Sequence, residues 1–425
     1  MKELRNRKPL YSSEKIMRTN RYNPLTENLC ECAVIEYFRH KWTRHENLEF
    51  VEKVVGIPRY QMELAVTSDY RSNLIGEAID GVGLFLYGVV CDLIHEGIEP
   101  DDFMEPVTVS RRKDGTTGKE RDIATLCITH QLLEHLEKLM LEPLLKARIT
   151  HTQHASIPCR GQTSIKRQIH RYLASGAIET EAFAKTDVVH AYQNTSYSLC
   201  IDIVKKESPR ANDAIILLRY LEKLAPGGHL IIGGYLDAWL FNLVASYALR
   251  FMESQGRFRR GKFIKDISRV SAYMDDFVIL AKTASGIQRC VRKTRKFMIE
   301  NLGLDIVVKV DPTPTTRLID SAGYQIGKDH CIIRKMNWKR IRRSLLKAEK
   351  ELSEIGTLRI ETARKIISYN GYFKQTNSQK LQEKYEVSKL MRIARRVSRF
   401  HGWLYRKRRK ERNNALLKSV KCFAY

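Results

Sequence analysis

Two acids stand side by side at Asp275 and Asp276, in the run SRVSAYMDDFVILAK (268–282). Adjacent carboxylates between apolar runs are costly, because like charge and burial each favour the neutral acid. A divalent cation removes that conflict. Hard ions such as Mg²⁺ take carboxylate oxygens and keep positions for phosphate oxygens. Asp is also common in exposed hairpin turns, so the pair alone leaves both readings open. A third acid, Asp187, ends the strand-like run AFAKTDVV (182–189), and Tyr192 follows five residues later. A strand ending in Asp beside a hairpin bearing Asp-Asp can gather three carboxylates. Such a cluster can hold two metal ions for an in-line phosphoryl displacement, one activating the attacking hydroxyl and the other stabilising the leaving oxygen.

Those acids need strands to hold them. The spacing predicts two strands over 266–282 with a tight acidic turn, a short strand over 182–189, and another in DIVVKV (305–310). Residues 107–112 and 121–126 flank a Gly-rich turn and read as a basic hairpin. Helices are expected over 130–147 (amphipathic), 163–174 (basic on one face), 210–225 and 286–301, and over most of 25–100. Beyond 335 the chain reads helix-rich and basic, punctuated by Trp338, Tyr369, Tyr372, Phe373, Trp403 and Tyr405. The apolar stretch 230–249 carries Asp237 and Asn242 near its middle. A charge at mid-bilayer is expensive, so this stretch is expected to be a buried loop and helix and not a membrane span.

Charge narrows the partners. The 425 residues include 74 Lys and Arg against 48 Asp and Glu, a formal +26. That exceeds what solubility needs and points to a polyanion. It is concentrated in residues 331–425, with 27 Lys and Arg against 7 Asp and Glu. An apolar content of 43% excludes wholesale disorder. The nine cysteines are odd in number and form no CxxC pair, so reduced thiols are expected, with no zinc site or disulfide framework. The N-terminus has no apolar run, so no signal peptide is read there and a cytoplasmic protein is expected.

Over roughly residues 105–375 the chain resembles the reverse transcriptases. Tyr273-Met274-Asp275-Asp276 matches that family's catalytic turn, and Asp187 with Tyr192 matches its first catalytic motif. The resemblance implies that Asp187 and Asp275 ligate both metals, that Asp276 supports them, and that the Val188 carbonyl is a further ligand. It makes Tyr192 a steric gate against a ribose 2′-hydroxyl. Lys119 and Arg121 match the residues that grip the triphosphate, a task suited to the fixed fork of Arg. Gly233 opens a stretch (233–242) resembling the motif beneath the nucleotide and template base. Lys309 matches the lysine that protonates the pyrophosphate leaving group. Gly323-Tyr324 resembles the primer-gripping turn, and 368–372 a thumb signature. HASIPCRG (154–161) resembles a segment of bacterial retroelement enzymes, with Cys159 where Gly is usual. Three places depart from the pattern. Ile232 stands where retroviral enzymes have Gln, Asp237-Ala238 where many relatives have Ser followed by Pro or Gln, and Ser321-Ala322 where Phe-Leu is common.

The implied fold is α+β, a right-hand polymerase with fingers, a palm built on an antiparallel sheet, and a helical thumb. The implied division is an N-terminal helical region (1–104), fingers and palm (105–330), and a basic thumb with C-terminal extension (331–425). The implied activity is RNA-directed DNA synthesis with dNTPs and two Mg²⁺ ions, Mn²⁺ being a substitute. Its partners would be a noncoding RNA template and the DNA product, together with an accessory protein or a second copy, and no membrane. Its role would be antiphage defence. Arg160, Lys166, Arg167, Arg392, Arg395, Arg396, Arg399, Arg406, Lys407, Arg408 and Arg409 are the cations expected on nucleic acid, with nearby aromatics stacking on unpaired bases. Three alternatives stay open: a diversity-generating retroelement enzyme, a protein-primed or template-independent DNA polymerase, and a non-catalytic RNA-binding scaffold.

Overall fold

The computed structural model describes residues 21–67, 73–100, 104–113, 118, 120–176 and 178–422. Its strands are β1 (Thr108–Lys113), β2 (Glu120–Thr125), β3 (Ala182–Val188), β4 (Gly256–Arg259), β5 (Lys262–Lys265), β6 (Arg269–Tyr273), β7 (Asp276–Ala281), β8 (Ile306–Pro314), β9 (Ile319–Ser321), β10 (Tyr324–Ile326) and β11 (Cys331–Ile333). Helices fill most of the remainder, so the chain is a mixture of helix and antiparallel sheet. The central sheet runs β6-β7-β3-β8, every pair antiparallel. β7 is apolar from Phe277 to Ala281 because it is an inner strand covered on both faces.

Alternation decides which side chain faces which way. Ala182, Ala184 and Val188 of β3, with Phe277, Ile279 and Ala281 of β7, join the larger core. The helices Tyr235–Ser254 and Ala284–Leu302 contribute to that core. Phe183, Val278 and Leu280 face the opposite side, with Ile165, Ile169 and Leu173 of the helix Gln162–Ala174. By the same parity Lys185, Asp187 and Asp276 share this second face, at the end of the strands where the apolar run stops.

The larger core continues into the N-terminal helices. Val34, Tyr37 and Phe38 of Glu27–Phe38, and Val82, Leu86 and Val90 of Leu74–Cys91, belong with Leu132, Leu133 and Leu136 of Ile128–Met140. Here an expectation fails. The single amphipathic helix over 130–147 is two helices, Ile128–Met140 and Glu142–Arg148, with Pro143 in the first turn of the second. The first is buried on all sides, His130, Glu134, Glu137 and Lys138 included. Its polar face meets other helices instead of water. Lys138, for one, pairs with Glu36 at 3.1 Å and Glu142 at 3.4 Å.

A separate core of Ile341, Leu345, Ala363, Ile366, Phe373 and Leu390 ties together the helices Lys335–Ile355, Ile360–Lys374 and Val387–Cys422. From Leu236 onward the apolar stretch over 230–249 lies largely within the larger core, while 231–235 stay partly accessible. Among the described residues one helix, Leu74–Glu96, is long and apolar enough to cross a bilayer. Its Ala78, Val82 and Leu86 lie in the larger core. No element is expected from the sequence between 249 and 266, yet β4 and β5 form a hairpin there.

Candidate active site

β6 and β7 are joined by the two-residue turn Met274-Asp275, with Tyr273 opposite Asp276. Met274 has φ of 54°. A left-handed residue other than glycine costs about 1–3 kcal/mol and persists only where its surroundings over-determine it. Two buried strands do so here, and positive φ at the first turn residue also suits strand twist. In the ladder Asp187 lies directly opposite Asp276. The Val188 amide donates to the Asp275 carbonyl at 3.1 Å. Strand register alone therefore brings Asp187 to the 275–276 turn.

The charges are unevenly satisfied. Lys309 Nζ, on β8, lies 2.5 Å from Asp187 Oδ1 and 3.4 Å from Asp276 Oδ1. Lys185 Nζ lies 3.7 Å from Asp276 Oδ2. Burial, then repulsion from Asp187 and Asp276, pushes the Asp275 carboxyl up to about 6, against its own backbone amide and Lys309. Burial favours a neutral Lys309, but Asp187 and Asp276 outweigh it and raise the amine above the ordinary lysine value. Asp187 Oδ1 is buried and, despite the close ammonium, has no aligned hydrogen-bond donor. A carboxylate held by a displaceable ammonium, beside a second acid crowded by like charge, is a donor set that fits a hard divalent cation such as Mg²⁺ or Mn²⁺. Asp187 and Asp275 would hold it, while Asp276 is engaged by the two lysines. Among the described residues no three His, Cys, Asp or Glu side chains are arranged to hold one ion.

A cleft of about 930 Å³ opens in front of these acids. Asp187, Val188, Tyr192, Met274 and Asp275 line one side, and Arg111, Glu120 and Arg121 of the β1–β2 hairpin line the other. The Tyr192 ring stacks on Phe241 at 5.7 Å, and burial raises its hydroxyl above the ordinary range. Ile232 also lines the cleft. Gly233 serves the wall behind it. Its φ is 127°, and a Cβ there would meet the Ala124 carbonyl of β2 at 2.5 Å. The Ala124 amide donates to the Ile232 carbonyl at 2.8 Å, tying this loop to the hairpin. Lys119 lies outside the described residues.

The remaining expected residues are not among those lining the cleft, although Ala322 and Tyr324 share a cluster with Tyr273 beside the turn. Gly323, at φ of 90°, and Ala322 make the β9–β10 turn, whose Gly323 carbonyl accepts from Asn337 Nδ2 at 3.2 Å. Tyr324 is buried against Tyr372, with ring centroids 5.4 Å apart. Arg160 Nη1 donates to the carbonyls of Thr150 and Gln153 at 2.6 and 2.9 Å. Lys166 and Arg167 reach Gln375 across a second cavity of about 790 Å³, lined also by His170, Arg171 and Lys374. Arg392, Arg395, Arg396, Arg399, Arg406, Lys407 and Arg408 are exposed along the helix Val387–Cys422, beside exposed Phe400, Trp403 and Tyr405. Arg409 falls on that helix, but its side chain is outside the described residues.

One pair escapes sequence reasoning. Glu134 and Asp237 are both buried at the start of the helix Tyr235–Ser254. Glu134 Oε2 accepts from the Tyr235 amide at 2.7 Å, and Asp237 Oδ1 accepts from the Tyr197 hydroxyl at 2.8 Å. Burial raises both acids, Asp237 to about 7, and Asp237 raises Glu134 further. Gly234 stands between them because a Cβ there would clash with both side chains. Only the oddity of Asp237 in an apolar run hints at this pair.

No family model and no curated protein matches the chain. Among solved structures it is similar to the Sicinivirus 3Dpol RNA dependent RNA polymerase, at 13% identity and a TM-score of 0.34. That likeness covers 61% of this chain and spans 58% of the viral chain.

Proposed function

We propose that the chain is an RNA-directed DNA polymerase that copies a bound noncoding RNA with dNTPs. One observation carries the reading: Asp187 faces the strained Met274-Asp275 turn across a ladder that fixes both, and Asp275 is left buried and crowded by Asp187 and Asp276. A purely structural turn has no need of such crowding. Two divalent ions, when bound, would activate the attacking hydroxyl and offset charge on the leaving oxygen. Asp187 and Asp275 present their oxygens to the cleft. Arg121, always charged, binds triphosphate oxygens from the opposite wall. Tyr192, braced by Phe241, shapes the floor against a 2′-hydroxyl. Lys309 stays protonated at neutral pH and donates a proton to departing pyrophosphate.

In hand terms, the β1–β2 hairpin belongs to the fingers, the central sheet to the palm and the helices from Lys335 onward to the thumb. The likeness of HASIPCRG to bacterial retroelement enzymes supports a bacterial retroelement type, and the role we propose for it is antiphage defence in the cytoplasm. Labelled dNTP incorporation by the purified protein with its copurifying RNA tests the chemistry. Activity abolished by ribonuclease pretreatment supports templated copying. A product that stays bound to protein after phenol extraction favours protein priming. Protection of cells against phage by the wild-type gene, lost on Asp275→Ala, tests the role.

A further inference from the structure

The β4–β5 hairpin has no part in the site above. β6 runs from Arg269, on the hairpin side, to Tyr273 at the Met274-Asp275 turn. At a rise of ~3.3 Å per residue, that strand alone sets the two roughly 15 Å apart. The hairpin's foot is fixed. Buried Asp266 accepts from Arg289 Nε at 2.9 Å and Lys293 Nζ at 3.4 Å, and its amide donates to the Gln255 carbonyl at 2.9 Å.

Beyond that foot, residues 257–265 are all exposed. Arg260 and Gly261, at φ of 48° and 75°, make a tight turn that suits a twisted ribbon. Phe258 sits opposite Phe263, ring centroids 5.4 Å apart and edge-on. Phe258 is 78% exposed. Arg257, Arg259 and Lys262 lie on the other face, with Arg260 at the tip and Lys265 at the base. No acid occurs in 256–265, and none of these five cations is ion-paired among the described residues. A lone two-stranded ribbon is marginal in water. Exposed rings and unpaired cations on such a ribbon form a surface that a complementary partner would cover.

We propose that this hairpin docks single-stranded RNA, the two phenylalanines stacking on bases and the cations meeting phosphates. Charge complementarity selects a polyanion. The ring pair then selects unpaired bases, since every base offers a π-face. The distance from the cleft means that the strand held here is a flanking segment and not the one being copied. The proposal stands apart from the polymerase reading, because the hairpin would bind RNA whether or not the cleft polymerises.

Fluorescence anisotropy of a labelled oligouridine on the full chain, across a salt series, tests it. Phe258→Ala with Phe263→Ala is expected to weaken binding about tenfold or more, with the salt slope unchanged. Phe258→Tyr with Phe263→Tyr is expected to keep wild-type affinity, which separates lost stacking from lost fold. Arg257→Gln with Arg259→Gln and Arg260→Gln is expected to flatten the log–log salt slope by about 2, from ~0.7 per lost phosphate contact. Primer extension on a short preformed duplex should stay at the wild-type rate in all three variants. Unchanged affinity and slope in the Ala and Gln variants would overturn the proposal. So would phosphatidylserine vesicles that displace RNA from the wild type and lose binding in the Ala variant, which would mark a membrane anchor.

Discussion

Lys309 contacts two carboxylates at once, while Asp275 is left crowded beside them. Each predicts a separate outcome. If Lys309 is the proton donor proposed above, Lys309→Ala lowers kcat by about 10²- to 10⁴-fold with a smaller change in KM, measured by steady-state incorporation. Asp275 carries a raised pKa, so its folded form disfavours the charge. Its effect on stability therefore worsens as pH rises from the ordinary carboxylate range to about 6. Asp275→Asn should accordingly abolish synthesis and yet melt at a higher temperature than wild type at neutral pH. Calorimetry checks this, and a lower melting temperature would contradict it. At Gly233, alanine must accept φ of 127° and a carbonyl 2.5 Å from its Cβ. Gly233→Ala should cost about 1–3 kcal/mol in urea unfolding.

Between elements, the Glu134–Asp237 pair makes the link from the helix Ile128–Met140 to the helix Tyr235–Ser254 sensitive to pH. Both acids are raised, so the folded chain holds protons that the unfolded chain releases above the ordinary carboxylate range, Asp237 up to about 7. Stability should fall as pH rises through that window. Asp237→Asn keeps an acceptor for the Tyr197 hydroxyl and should remove much of the slope. Urea midpoints at pH values below and above the window check this, and equal slopes would contradict it. These acids are 103 positions apart, and local spacing carries no sign of their meeting. The same limit hides the burial of the helix Ile128–Met140, whose polar residues mimic a solvent face. β3, β6 and β7 are readable because short strand-like stretches, continuous and apolar in β7, abut acids at 187 and 275–276. β4–β5 is missed because it buries nothing, although Arg260-Gly261 between alternating cations and aromatics is a hairpin signal. Gly233 shows a further limit. Its need for glycine is readable, but its partner, the β2 backbone, is not.

At the scale of the molecule, a nearly neutral body carries the acids, and a separately cored C-terminal segment carries most of the net positive charge. Replacing Arg392, Arg395, Arg396 and Arg399 with Gln should weaken binding to any nucleic acid and flatten its salt dependence. The expected change is roughly 0.7–0.9 per lost phosphate contact. Incorporation at saturating template should change little. A loss confined to one sequence, with the slope unchanged, would point to base reading instead. The proposed polymerase activity rests on Asp187 acting with the 275–276 turn. The most direct measurement is DNA synthesis on an RNA template, in Mg²⁺, by wild type, Asp187→Asn and Asp275→Asn proteins with matched circular dichroism spectra. Extension by wild type and none by either variant is the predicted result. Extension at the wild-type rate by either variant would contradict it.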